Sequence, residues 1–245
     1  MRVSILSTKI HKWIGLVVGL QVILWVAGGL VMSWFPIEQV RGEHNIAEQK
    51  AEVLTASDNL VPISQVLSQL DGADALRVEL RHLMGQPVYA VTLAEGQPKL
   101  VNARTAALLT PLTADFARRI ALADFKGEAG VLSVRLLEET NSEYRRALPV
   151  WQVLLDDEED THLYVSPFTG KIVGRRNAVW RFYDFFWMLH IMDYENRSDF
   201  NNPLLIWASI IALVLSITGL VLLFYRFSKR DFRWLAFRRR QRKLS

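Results

Sequence analysis

Two stretches of the chain carry no charge. The first runs from Trp13 to Phe35, 23 residues, and the second from Leu204 to Tyr225, 22 residues. At ~1.5 Å rise per residue, each makes a helix longer than the ~30 Å hydrocarbon core of a bilayer. Between them the pattern changes. Ile63 to Leu70 has helical spacing, Leu76 to His82 alternates with period two, and Pro87 to Leu93 reads as a strand. Gly96-Gln97 reads as a turn, with Pro98 to Asn102 as a short strand returning from it. The order then recurs: a helix over Ala114 to Ala123, a strand over Val131 to Leu137, and Pro149 to Leu155 standing 62 residues after Pro87 to Leu93. His162 to Val173 closes the pattern as strand, turn and strand. The chain is therefore predicted to be an α+β membrane protein, with two transmembrane helices flanking a domain of two α-β-β repeats. The predicted segments are an N-tail (1–12), transmembrane helix 1 (13–35), the repeat domain (36–178), an aromatic interfacial segment (179–202), transmembrane helix 2 (203–226) and a basic tail (227–245).

Charge orients these segments. Twelve of the 29 basic residues lie in the two tails, three before the first span and nine from Arg226 onward. The part between the spans holds 17 basic and 24 acidic residues, a net charge of −7. The positive-inside rule places both termini in the cytoplasm and the middle domain in a periplasm-like space. Phe35-Pro36-Ile37-Glu38 offers no small-residue cleavage site, so the first stretch reads as a span and not a leader. The basic tail suits anionic lipid headgroups, and its tether to the bilayer argues against nucleic acid as a partner.

The chain has no Cys, which excludes thiolate metal sites, iron–sulfur clusters and thiol relays. It has no Gly-x-Ser-x-Gly, no His-Glu-x-x-His and no phosphate-binding glycine loop. Electron transfer here would need a bound cofactor. Three of the five His stand at the borders of the apolar segments: His11, His44 and His190. Neutral imidazole is a strong iron ligand, and apolar surroundings suit a porphyrin. His11, Gly15 and Gly19 follow at i, i+4 and i+8, giving an imidazole beside a flat strip of one helix face. The ordinary reading of such a small-residue stripe is close helix packing. Helix continuing from 11 to 44 would put His11 and His44 ~50 Å apart, too far to share one iron. Asp193, Tyr194 and Glu195 follow His190 and supply the oxygen ligands that ferric iron prefers. The run Asp156 to Asp160 reads as an exposed charged turn, and His82 and His162 read as surface residues of the repeats.

The stretch Tyr164-Val165-Ser166-Pro167-Phe168-Thr169-Gly170-Lys171-Ile172-Val173 resembles the PepSY signature. His11-Lys12-Trp13-Ile14-Gly15-Leu16, Arg41-Gly42-Glu43-His44 and Trp187-Met188-Leu189-His190-Ile191-Met192-Asp193-Tyr194 resemble the PepSY-associated transmembrane family. The layout is similar to that of the VciB-type, two-span inner-membrane ferric reductases in it. The resemblance implies PepSY-like repeats in a periplasmic domain and a bacterial inner-membrane location. It implies haem b, one or two per dimer or protomer, with His11, His44 and His190 as ligands and iron as substrate. It further implies a homodimer, restoring the four spans of larger relatives. Electrons would come from a quinol or a cytoplasmic reductase, and a ferrous iron transporter would take the product. The alternative the same signature allows is a membrane-anchored PepSY interaction protein without redox activity.

Overall fold

The structure is a computed structural model that describes residues 2–48, 53, 59–70 and 72–226. Fourteen short and long elements fall into two compact units, Met1–Trp34 with Asp184–Ser245, and Phe35–Tyr183.

The first unit is helical. It holds α1 (Arg2–Trp34), the C-terminal half of α5 (Ala178–Ile191) and α6 (Pro203–Arg226). α6 is 24 residues long, and none of its residues is buried. Leu213 is 61% exposed and Phe224 77%. A helix this apolar with so much of its surface uncovered needs an apolar solvent, and α6 is long enough to cross a membrane. The described apolar stretch of α1 is Val18–Trp34. α6 starts where the sequence provides a cap. Asn202 accepts from the Leu205 backbone N–H at 2.9 Å, and Pro203 takes the first helical position, where its missing N–H costs nothing. α1 and α6 run antiparallel, with Gly15 facing Leu215 and His11 facing Gly219. The basic tail beyond Arg226 lies outside the described residues.

The second unit is two α/β layers on a shared core. α3 (Ile63–Ser68) precedes β1 (Ala75–Leu83), β2 (Gln86–Leu93) and β3 (Lys99–Asn102), which form an antiparallel sheet in the order β1-β2-β3. α4 (Ala114–Asp124) precedes β4 (Gly130–Leu137), β5 (Val150–Asp156), β6 (His162–Val165) and β7 (Ile172–Arg176), again antiparallel and in sequence order. The sheets have three and four strands, because Lys99–Asn102 and Ile172–Arg176 both enter the ladders as edge strands. α2 (Ile37–Val40) and a 3₁₀ turn (Glu43–Asn45) lead into the unit.

Alternation along β2 explains the layering. Tyr89 and Val91 face Val66 and Leu70 on the α3 side. Val88 turns the other way with Leu100 and joins Val153, Leu155, Leu163 and Val165 of the second sheet and Ala117, Ile120 and Ala121 of α4. β2, the central strand of the first sheet, is thus buried on both faces, while Arg77 and Glu79 of β1 stay exposed. Gly170 closes the β6–β7 turn at φ +61°, and a Cβ there would stand 3.1 Å from Leu83 and 3.2 Å from Leu112. Both the left-handed backbone and the crowding require glycine.

One polar network ties the start of α5 to the second sheet. Glu143 accepts from His162 Nδ1 at 2.7 Å, from the Tyr164 hydroxyl at 3.0 Å and from Arg181 Nε at 2.7 Å. Tyr164 is fully buried, stacks on Tyr144 at 4.7 Å between ring centroids, and accepts from Gln152 Nε2 at 3.1 Å. Burial alone would raise the Glu143 carboxyl, but the hydrogen bonds and charges of His162 and Arg181 outweigh it and hold the group at about 2. Burial, and the Glu143 charge after it, pushes the Tyr164 phenol up and keeps it neutral.

A carboxyl depressed from 4.5 to about 2 binds its proton more readily in the unfolded chain. Its contribution is complete above 4.5 and is lost as pH falls through about 2. Thermal unfolding of the protein between pH ~5 and ~2 should show a falling midpoint. Glu143→Gln should lower the neutral-pH midpoint and flatten that part of the acid dependence. An unchanged acid slope would remove Glu143 as its source.

Candidate functional site

The helical unit poses one chemical problem. An imidazole between apolar helices carries an N–H that must be satisfied, and the helix backbone offers only carbonyls already in use. His190, near the C-terminal end of α5, solves it on α1. Its Nδ1 lies 3.0 Å from the Trp25 carbonyl. A carbonyl only accepts, so Nδ1 carries the proton and Nε2 of the neutral ring keeps its lone pair. Two glycines open the approach. A Cβ on Gly28 would stand 3.3 Å from His190 Cβ and 3.3 Å from the Phe186 carbonyl, and one on Gly29 would stand 3.5 Å from His190 Cε1. The Trp25 ring packs on the imidazole at 5.5 Å between centroids.

His11 repeats the solution on α6. Its Nδ1 lies 3.2 Å from Thr218 Oγ1. That hydroxyl gives its proton to the Val214 carbonyl at 2.9 Å and the Leu215 carbonyl at 3.0 Å of its own helix. With its proton on its own helix, its lone pair is free to accept from His11 Nδ1–H, the arrangement that leaves Nε2 as the acceptor. A Cβ on Gly219 would meet His11 Cε1 at 3.2 Å. Among the described residues, no hydrogen bond is made by Nε2 of either ring. His11 and Gly28 are 17 positions apart on one unbroken helix, an axial distance of about 25 Å. The two imidazoles thus mark two levels of this unit.

The glycines predicted beside His11 do different work. Gly15 faces Leu215 Cδ2, which a Cβ would meet at 3.8 Å, so it serves helix packing. At Gly19 a Cβ would meet nothing within 4 Å. The glycines that shape the imidazole surroundings are Gly28, Gly29 and Gly219, and the adjacent pair inside an apolar helix was their sequence signal. Gln21 Nε2 and Trp25 Nε1, one turn apart on α1, are buried donors without a partner among the described residues. That too was invisible in the sequence.

His44 stands differently from its expectation as a ligand. It belongs to the other unit, where Nε2 lies 3.0 Å from Glu159 Oε1 and Nδ1 lies 3.4 Å from the Glu38 carbonyl. Both ring nitrogens face oxygen acceptors of this unit, a surrounding unlike that of His11 and His190. Glu159 also accepts from Asn45 at 3.1 Å and from the buried Asn177 at 2.9 Å, and Asn177 Oδ1 caps α5 through the Trp180 N–H at 2.7 Å. The acidic run is the exposed turn expected at Asp156, Glu158 and Asp160, while Asp157 and Glu159 are half-buried and bonded. Asp157 accepts from the Thr161 N–H and hydroxyl at 2.7 Å each, and Asp160 pairs with Arg181 at 3.0 Å. His162 is a satisfied residue, on Glu143.

The oxygen ligands expected after His190 are also accounted for. Asp193 Oδ1 accepts from the Glu195 and Asn196 N–H groups at 3.3 and 3.0 Å, and Oδ2 from those of Ser198 and Asp199 at 2.9 and 3.0 Å. These bonds, led by that of Asp199, hold its carboxyl at about 2 and make it the staple of the loop before α6. Arg197, four residues on, pairs with Asp184. Tyr194 and Glu195 are exposed, and among the described residues no three His, Asp or Glu side chains converge as a metal cluster.

Fold and site together define a membrane protein of mixed helix and sheet, with two oriented imidazoles set on packed helices. The chain belongs to the family described as the PepSY-associated TM region, whose model matches residues 8–245. No curated protein and no solved structure matches it.

The glycine notch makes a contrast that unfolding in detergent can read. Gly28→Leu should destabilise the helical unit by about 1–3 kcal/mol through overpacking against His190 and Phe186. Gly19→Ala should be neutral or stabilising by up to ~1 kcal/mol. Equal effects at the two positions would mean that the notch around His190 is not tightly packed.

Proposed function

We propose that the protein is a haem b-containing ferric reductase of the bacterial inner membrane, passing electrons outward to ferric iron in support of ferrous iron uptake. The observation that carries this reading is the placement common to His11 and His190. Each ring sets Nδ1 against an oxygen of a neighbouring helix, and among the described residues Nε2 makes no hydrogen bond. Metal-ligating histidines are fixed in this way by the hydrogen bond of their other nitrogen. The unpartnered donors Gln21 Nε2 and Trp25 Nε1 fit the same reading, since a bound group carrying acceptors would satisfy them.

In this reading α1 and α6 both span, residues 36–178 form a periplasmic domain of two PepSY-like repeats, and both termini are cytoplasmic. His11 serves the cytoplasmic level and His190 the outer one. Haem held there supplies one-electron carriage between the two levels. The chain's own contribution is positional. The Trp25 carbonyl and Thr218 hydroxyl fix the rings, the glycines keep the imidazole faces clear, and lipid-facing Leu and Phe side chains exclude water. One chain offers one such imidazole per level, so a homodimer supplies the second. His44, with both nitrogens engaged, is left out of the ligand set. The electron donor is a quinol or a cytoplasmic reductase, and a ferrous iron transporter is the partner downstream.

The test is a spectrum. Protein purified in mild detergent from haem-replete cells should show a Soret band that shifts on reduction with dithionite and returns on adding ferric citrate. His190→Ala and His11→Ala should each lower haem content by roughly half if each level holds its own haem. His44→Ala should keep full haem and lose only stability of the extramembrane unit. A colourless preparation would overturn the haem reading and leave a membrane-tethered PepSY interaction protein.

A further inference from the structure

The extramembrane unit contains a basic cavity that the redox reading does not use. It has a volume of about 160 Å³ and lies where the β1 edge of the first sheet meets the β6–β7 turn. By the measure on which one water needs ~10–15 Å³, that is room for roughly ten waters. Arg77, Arg81, Lys99 and Lys171 line it, with Glu79 as its one acidic residue. Glu79 pairs with Arg77 at 3.3 Å and its charge also acts on Arg81, so among the described lining residues four cations face one carboxylate.

Arg81 is the informative member. It alternates with Arg77 and Glu79 on one face of β1. Its guanidinium donates to the carbonyls of Thr169 and His82, and its Nε is buried with no partner among the described residues. Among those residues no carboxylate pairs with it. Half-buried guanidinium groups are ordinarily matched by carboxylate or phosphate, because an idle charged donor taken from water is costly. The Thr169 contact matters as well: it anchors Arg81 to the same turn that carries Phe168 and Lys171. The first sheet and the second repeat's turn therefore build the cavity jointly.

We propose that this cavity is a binding site for a small polycarboxylate anion such as citrate. Four cations against one carboxylate call for a multivalent anion. The planar fork of Arg81 suits a carboxylate. The volume and the apolar wall supplied by Phe168 and Ala90 suit a carbon skeleton better than bare phosphate. The site lies wholly within residues 35–183 and stands whether or not the histidines hold haem.

The experiment is calorimetric titration of the full-length protein in detergent with citrate, phosphate and acetate at constant ionic strength. One citrate should bind per chain, with phosphate and acetate at least roughly tenfold weaker. Arg81→Gln should abolish the binding. Because Arg81 also holds the turn, the more exposed pair Arg77→Gln with Lys171→Gln is the second test, expected to weaken citrate roughly tenfold or more. Lys126→Gln, a basic residue outside the cavity, should leave it unchanged. No citrate heat up to millimolar concentration, equal binding by the double variant, or phosphate binding as tightly as citrate would each overturn the proposal. None of these readouts depends on haem, so this proposal and the redox reading fail separately.

Discussion

Everything in the helical unit depends on how two imidazoles dispose of one N–H each. In water that hydrogen bond is replaceable. Between apolar helices an unmet N–H costs about 1–3 kcal/mol, and the helix backbone has no free acceptor except a second lone pair on a carbonyl. Reaching that lone pair from another helix demands a gap in the side-chain layer. Gly28 and Gly29 make it for His190, and Gly219 makes room for His11. Glycine inside a helix costs about 1 kcal/mol each. A helix that accepts two in succession holds a ring in one orientation and, through it, one nitrogen lone pair in one direction.

The same constraint sets helix register. His11 against Gly219 and Gly15 against Leu215 fix α1 on α6 as an antiparallel pair, and His190 against Gly28 fixes α5 on α1. The loop between α5 and α6 is then held by Asp193, which gathers four backbone N–H groups, and by Asn202, which bonds the Ile191 carbonyl at 2.9 Å while capping α6. The Asp184–Arg197 ion pair adds a tie between helix and loop. Within the other unit the stabilising logic is different. There, apolar layers on both faces of the first sheet do most of the work, and Glu143, Glu159 and Asn177 anchor the segments that enter and leave it.

Much of this was legible in the sequence because it is periodic. Charge-free runs, alternation in β1 and β2, and the repeat offset of 62 all locate elements without knowledge of contacts. The short strand at Lys99–Asn102 and the turn at Pro167–Gly170 were legible from turn chemistry. What failed was pairing across the chain. His11, Gly15 and Gly19 share a helix face, yet the glycine that meets His11 is 208 positions away. His44 resembled a ligand from its place after a span, but Glu159, 115 residues on, occupies it. The acidic run Asp156 to Asp160 is the exposed turn expected, but the ties of Glu159 to Asn177 and of Asp160 to Arg181 belong to no local pattern. Sequence spacing fixes which side chains share a face; it does not say which other face they meet.

Saturation of hydrogen bonding separates structural from functional groups more sharply than residue type does. Asp193 has the chemistry of an iron ligand, but its two oxygens accept four N–H groups, so it holds a loop. Glu143 is likewise spent on His162, Tyr164 and Arg181. Against these stand, among the described residues, Nε2 of His11 and of His190 without a hydrogen bond, the idle donors of Gln21 and Trp25, and the idle Nε of Arg81. Arg181 and Arg197 also carry one idle nitrogen each, but both are anchored on carboxylates, and the idle Ser133 hydroxyl sits at the β4 bulge. A folded chain tolerates an unmet buried group when something outside the fold meets it. On the two readings proposed above, the unmet groups of the helical unit would meet an acceptor-bearing group that also takes imidazole lone pairs, and those of the sheet unit an anion. The two proposed ligands are chemically distinct, so each can be tested without the other.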